Sequence, residues 1–204
     1  MVIRVLALGF GPEPGQRSAS AQGALTVLAA EGWAPQGATV DIAVVPRRWW
    51  ADDPVAAKAH DCVVLFSECG RDDSALVARF ARNVADPRIV DAAGYCWAGP
   101  TIVPRGAAEY ASGLEPYALA RALELAGLPA QATSDCDGGV ANKTFYMLRA
   151  ERCKCALIRL PVTLESARAQ GRRALINRYE LLQGVQAAIT FAVAAAEVEA
   201  GRAA

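Results

Sequence analysis

Short apolar runs that alternate with helix-patterned stretches constrain this chain more than any other feature. Val2–Leu8 alternates and is β-branched, Thr39–Val45 repeats the pattern, and Asp61–Phe66 is a continuous apolar run of the central-strand kind. Shorter runs at Ala130–Thr133 and Cys155–Leu160 read as further strands. Between them, helical spacing marks Ser20–Ala30, Asp72–Asn83, Glu115–Ala126, Val140–Ala150 and the long amphipathic Asn177–Val198, with a short helix at Asp53–Ala59. Residues 84–115 hold scattered Gly and Pro and read as an excursion with short strands. Strands that alternate with helices imply a three-layer α/β/α sandwich around a mostly parallel, twisted sheet. At 204 residues it reads as one domain, 1–204.

Ligands of such sheets bind beyond the carboxyl ends of the strands. Three loops lie there: Gly9–Ser20, Ser67–Asp73 and Ser134–Val140. Gly9-Phe10-Gly11-Pro12 lacks the dinucleotide and phosphate-loop patterns and reads as a tight strand exit. Thr133–Asn142 brings polar residues and two glycines to a helix start. Its N–H groups suit an anion or developing oxyanion, or else it is a helix capped by Asp135 or Asp137. Cys136 in that loop is the best candidate for a reactive thiol, against a plain reading as a partly exposed free cysteine.

Composition removes several functions. The 21 basic and 21 acidic residues cancel, which argues against nucleic acid or an anionic membrane as partner. The longest apolar stretch, residues 186–196, reads as too short to span a bilayer. The start MVIRVLALGF reads as a strand and not a signal peptide, so the six cysteines are expected as free thiols in a reducing cytoplasm. Cys153-Lys154-Cys155 has the wrong spacing for zinc but points both sulfurs to one face. The single histidine, His60, precedes a strand, at the edge opposite the ligand loops. No metal or cofactor is expected. Trp49-Trp50 reads as a loop folded over the core or as a subunit contact.

Taken together, these blocks resemble the pyrrolidone-carboxylate peptidases (pyroglutamyl peptidase I), cysteine enzymes that remove N-terminal pyroglutamate. VLALGFGPEPG is similar to the family's strand and GF-x-PFG loop, and VVPRRW to its strand ending in Leu-Pro-Val. ECGRDDSALVARFARN resembles G-R-x-x-I-x-x-E-R-x-A-x-N, and TIVPRGAAEYASGLEP resembles I-x-x-x-G-P-x-A-Y-x-S-x-L-P. SDCDGGVANKTFYMLRA resembles S-x-D-A-G-x-Y-x-C-N-x-x-x-Y, and ALIRLP resembles F-I-H-V-P.

The resemblance implies a thiolate at a helix start, paired with a histidine that a glutamate orients. It sets Ala141 at the nucleophile and Arg159 at the histidine. Ala78 falls at the glutamate after a one-residue insertion, with Val77 as the other choice. It further implies a ligand site from Phe10, Gly11, Glu13, Gly70, Arg71, Asn142 and Arg159, with Glu13 where a second phenylalanine is expected, and a homo-oligomer. Two functions follow. One is a non-catalytic homologue whose remodelled pocket takes a small anion, a lactam or a peptide N-terminus. The other is a divergent hydrolase of a lactam, amide or N-terminal pyroglutamyl substrate, using Cys136, Asp135 or Asp137.

Overall fold

A computed structural model describes residues 2–12, 19–50, 55–69, 73–169, 171 and 174–203. The central sheet has six strands in the order β2-β1-β3-β8-β4-β7. These are β1 (Ile3–Phe10), β2 (Ala38–Val45), β3 (Cys62–Glu68), β4 (Ala75–Ala78), β7 (Ala130–Thr133) and β8 (Cys155–Leu160). Neighbours pair in parallel except β4 and β8, which run antiparallel. A separate two-stranded ribbon joins β5 (Phe80–Arg82) to β6 (Glu109–Ala111).

Side chains alternate across the sheet and build two cores. Val5, Ala7, Val64, Phe66, Val77 and Ile158 pack under α1 (Ser20–Glu31), α2 (Pro116–Leu125) and α5 (Arg178–Ala203). Leu6, Leu8, Phe10, Val63, Leu65, Ala78 and Leu157 pack on the other side, under α3 (Val140–Ala150) and Trp49. The fold is therefore a mostly parallel α/β sandwich, as expected. A short helix, α4 (Leu164–Ala169), leads towards α5.

Three local expectations change. Asp72–Asn83 is not a helix: its described part forms β4 and β5. Ala75–Ala78 is buried throughout between β8 and β7, and pairing on both edges outweighs helical spacing in so short a run. Of Asp53–Ala59, the described part is a 3₁₀ turn at Val55–Ala59. Among the described residues no side-chain hydrogen bond caps α1. Its cap position is Ala19, and the Ser20 N–H donates instead to the buried Glu68 carboxylate at 2.8 Å. Helix α5 is long and apolar enough to cross a membrane by length and composition. Its stripe Leu181, Val185, Ala188, Ile189 and Ala192 is nonetheless buried on the first core, so it is a core helix. All six cysteines are unbridged.

The excursion after β5 is fastened by carboxylate and amide side chains. Asp91 is 1% exposed and accepts from the N–H groups of Trp49 (3.0 Å), Ala93 (2.8 Å) and Tyr95 (2.9 Å). Burial pushes this carboxyl up, but the three N–H bonds and Arg48 together hold it below its ordinary value. A lowered folded-state pKa gives stability that is present above the unfolded pKa and is lost as pH falls through the folded one. Asp91→Asn keeps one acceptor oxygen but turns an NH₂ against backbone N–H. It is expected to remove about 1–3 kcal/mol at neutral pH. Thermal unfolding from neutral to acidic pH should show the difference between variant and wild type shrinking as Asp91 protonates.

Candidate functional site

Register sets a row of side chains across the carboxyl edge of the parallel strands. Ser67 on β3 pairs with Arg159 on β8, and Arg159 pairs with Leu76 on β4. Phe10 lies one step beyond the Gly9–Phe66 pair, level with Ser67. Alternation turns Phe10, Ser67 and Arg159 to the face of Leu8, Leu65 and Leu157, the face that α3 covers. Gly9 allows the close packing on the other side: a Cβ there would sit 2.5 Å from Leu25 Cδ1 of α1.

The loop after β7 brings the start of α3 over this row. Phe10, Ala78 and Ala141 are buried in one apolar cluster, together with Val140, Phe145 and Tyr146 of α3. Arg159 is buried, and its Nη2 donates to the Asp135 carbonyl at 2.9 Å. The guanidinium also lies 3.6 Å from the Asp135 carboxylate and 3.9 Å from that of Asp137. Arg159 latches the loop before α3, and two carboxylates balance its charge. Asp137 does not cap the helix. It accepts from Gly139 N–H at 2.8 Å, and Gly139 is itself the cap position.

Other expected ligand residues serve the frame. Asn142 accepts from Arg82 N–H at 3.1 Å and donates to the carbonyls of Arg82 (2.9 Å) and Val84 (3.1 Å), so its amide clamps the end of β5. Gly11 N–H bonds Val45 O at 2.9 Å and extends the β1–β2 ladder. Tyr146 donates to Ala107 O at 2.8 Å. Glu13, Gly70 and Arg71 lie outside the described residues. Cys136 is half-buried, and that burial raises its thiol pKa despite the Gly138 N–H and Arg82 beside it.

Two site residues escaped the sequence reading. Ser67 is almost fully buried, and its Oγ has no hydrogen-bond partner among the described residues. Its signal was available: it is the one polar side chain on the Val63–Leu65–Ser67 face of a central strand. Arg47 is buried, and its Nη2 would lie 3.4 Å from a Cβ placed on Gly139. It thus supplies a second guanidinium at the start of α3, which only long-range folding reveals. His60 stands apart, 2.7 Å from Asp41 at the far edge of the sheet. Trp49 is buried in the second core, whereas Trp50 is exposed and stacks on Trp97 at 4.6 Å. Among the described residues no group of three or more His, Cys, Asp or Glu is placed to hold a metal ion.

Known proteins give the same architecture. The family model described as pyroglutamyl peptidase matches residues 3–193. A pyrrolidone-carboxylate peptidase of Streptomyces coelicolor is 33% identical over 150 residues, covering 71% of this chain and 68% of that protein. One from Vibrio vulnificus is 29% identical over 177 residues, covering 83% of each. The crystal structure of pyroglutamyl peptidase I from Bacillus amyloliquefaciens superposes with a TM-score of 0.84 at 23% identity, covering 95% of this chain and 96% of that one. The row of Phe10, Ser67 and Arg159 beneath α3 is thus carried on that fold, and the chain belongs to the pyroglutamyl peptidase family.

Proposed function

We propose that this chain keeps the family's fold without its thiolate chemistry, and uses the same sheet edge to hold a small carboxylate- or lactam-bearing molecule. The observation that carries the reading is Ser67. A buried hydroxyl without a partner forgoes a hydrogen bond worth about 1 kcal/mol and leaves a desolvated group uncompensated. It lies beside Arg159 and below the start of α3, where N–H groups and the helix dipole favour an electron-rich oxygen. A ligand carbonyl or carboxylate would satisfy it. Arg159 is balanced by Asp135 and Asp137, so the site suits a ligand of low charge. The chemistry of the aligned residues supports the loss of catalysis: Ala141 offers a methyl group and Arg159 a guanidinium that takes no proton at neutral pH. The divergent hydrolase draws no support from Cys136, whose thiol burial pushes above its ordinary pKa.

Calorimetric titration with pyroglutamate (5-oxoproline), and with its open form glutamate, tests the reading. Saturable binding of 5-oxoproline is expected, weakened about 5–30-fold in Ser67→Ala with the fold intact. Binding that is absent in the wild type, or equal in both proteins, would refute it.

A further inference from the structure

Away from the sheet's carboxyl edge, the turn between α3 and β8 carries two cysteines one residue apart. Arg152 adopts a left-handed conformation (φ 62°), and the Cys153 N–H turns back to Leu148 O at 2.9 Å. This folding sets Cys153 and Cys155 against the same apolar cluster, on one side of the sheet. The two differ in access. Cys153 is partly exposed, and Cys155 is fully buried at the start of β8. Arg149 is fixed beside them, because its Nε donates to Ala111 O at 2.8 Å and its Nη1 to Cys153 O at 2.5 Å. Gly113 walls it in: a Cβ there would sit 2.9 Å from Arg149 Nη1 and 2.6 Å from Cys155 N.

We propose that Cys153 and Cys155 are a peroxide-responsive pair, in which Cys153 is oxidised and Cys155 resolves it into an intrachain disulfide. The electrostatics suit this division. The neighbouring Cys155, and then Arg149, hold the Cys153 thiol below its ordinary pKa against burial and the Glu151 carboxylate. Burial keeps Cys155 well above it, as a protonated donor. In the first step the Cys153 thiolate attacks hydrogen peroxide. An S–O bond forms, the O–O bond breaks, and the departing hydroxide takes a proton to become water. In the second, the Cys155 sulfur attacks the sulfenic sulfur and gives up its proton. The S–S bond forms, the S–O bond breaks, and a second water leaves. Two thiols and one peroxide become one disulfide and two waters. The same asymmetry disfavours a soft metal ion, which would need both sulfurs deprotonated.

Exposure alone predicts a different order, since Cys96 is the exposed thiol of the chain. The full chain is treated with hydrogen peroxide near equimolar amount, the remaining thiols are alkylated, and peptides are read by mass spectrometry. Cys153 and Cys155 should disappear together, ahead of Cys96, in one peptide lighter by two hydrogens and restored by dithiothreitol. Cys155→Ser should accumulate sulfenic acid at Cys153, trapped by dimedone. Arg149→Gln should slow loss of Cys153 about threefold to tenfold. Earlier oxidation of Cys96, or a Cys153 that ends as sulfinic acid or a bridge between chains in the wild type, would overturn the proposal. The wild-type order needs no variant, so a variant that fails to fold leaves the test intact.

Discussion

Purified to homogeneity, the protein is expected to leave a fluorogenic pyroglutamyl amide uncut, with kcat/KM at least about 10⁴-fold below that of an active family member assayed beside it. The size follows from what amide hydrolysis needs. A nucleophile, its base and the group that orients the base act as a unit, and loss of either of the first two removes nearly all of the acceleration. The family resemblance sets Ala141, Arg159 and Ala78 at those three positions. In the fold Ala78 and Ala141 share one apolar cluster, and Arg159 reaches the loop just before Ala141. The residual that helix N–H groups and binding can supply sets the floor of the assay. A graded restoration sharpens the test. Ala141→Cys restores the nucleophile's atom at its place in the motif, yet turnover should stay at the floor for want of a base. Adding Arg159→His should begin to recover turnover, though it also releases the Asp135 latch. Wild-type turnover that survives purification and disappears in Cys136→Ser would establish the divergent hydrolase instead.

Much of this site can be read from residue order, and the part that cannot has a common cause. Phe10, Ala141 and Arg159 were reachable because each stands at a fixed step from a glycine, an asparagine or a proline in its motif. The strands β1, β2 and β3 were reachable from their apolar runs. β4 and β5 were not, since eight residues that mix small and apolar side chains with two arginines fit a helix as well as two strands, and only pairing with β8, β7 and β6 decides. Arg159 is legible as a charge at this edge, but its partners are not. Its charge balance depends on Asp135 and Asp137, which arrive from another element. Arg47 and the unpartnered state of Ser67 depend on the same long-range assembly. Position in the motif showed which residues gather at the edge, and the tertiary fold decides what each of them does there.

Asn142 makes that difference measurable, because the motif offers it as a ligand residue and the fold makes it a clamp. Asn142→Ala is expected to destabilise the protein by about 2–4 kcal/mol, enough to lower the melting temperature by roughly 5–12 °C in a chain of this size. The amide side chain is 1% exposed, and all three of its bonds end on the backbone of residues 82 and 84. Truncation strands the part-buried Arg82 N–H and deprives two carbonyls of their donor. Asn142→Asp separates this account from a simple loss of volume. It keeps an acceptor for Arg82 N–H but sets a carboxylate against the carbonyls of Arg82 and Val84, so it should be no more stable than the alanine variant at neutral pH. It should recover part of the loss on mild acidification, as the protonated carboxyl becomes a donor again. Melting within about 2 °C of wild type for Asn142→Ala would mean that the clamp carries little, and that the asparagine is held there for what it presents to a ligand.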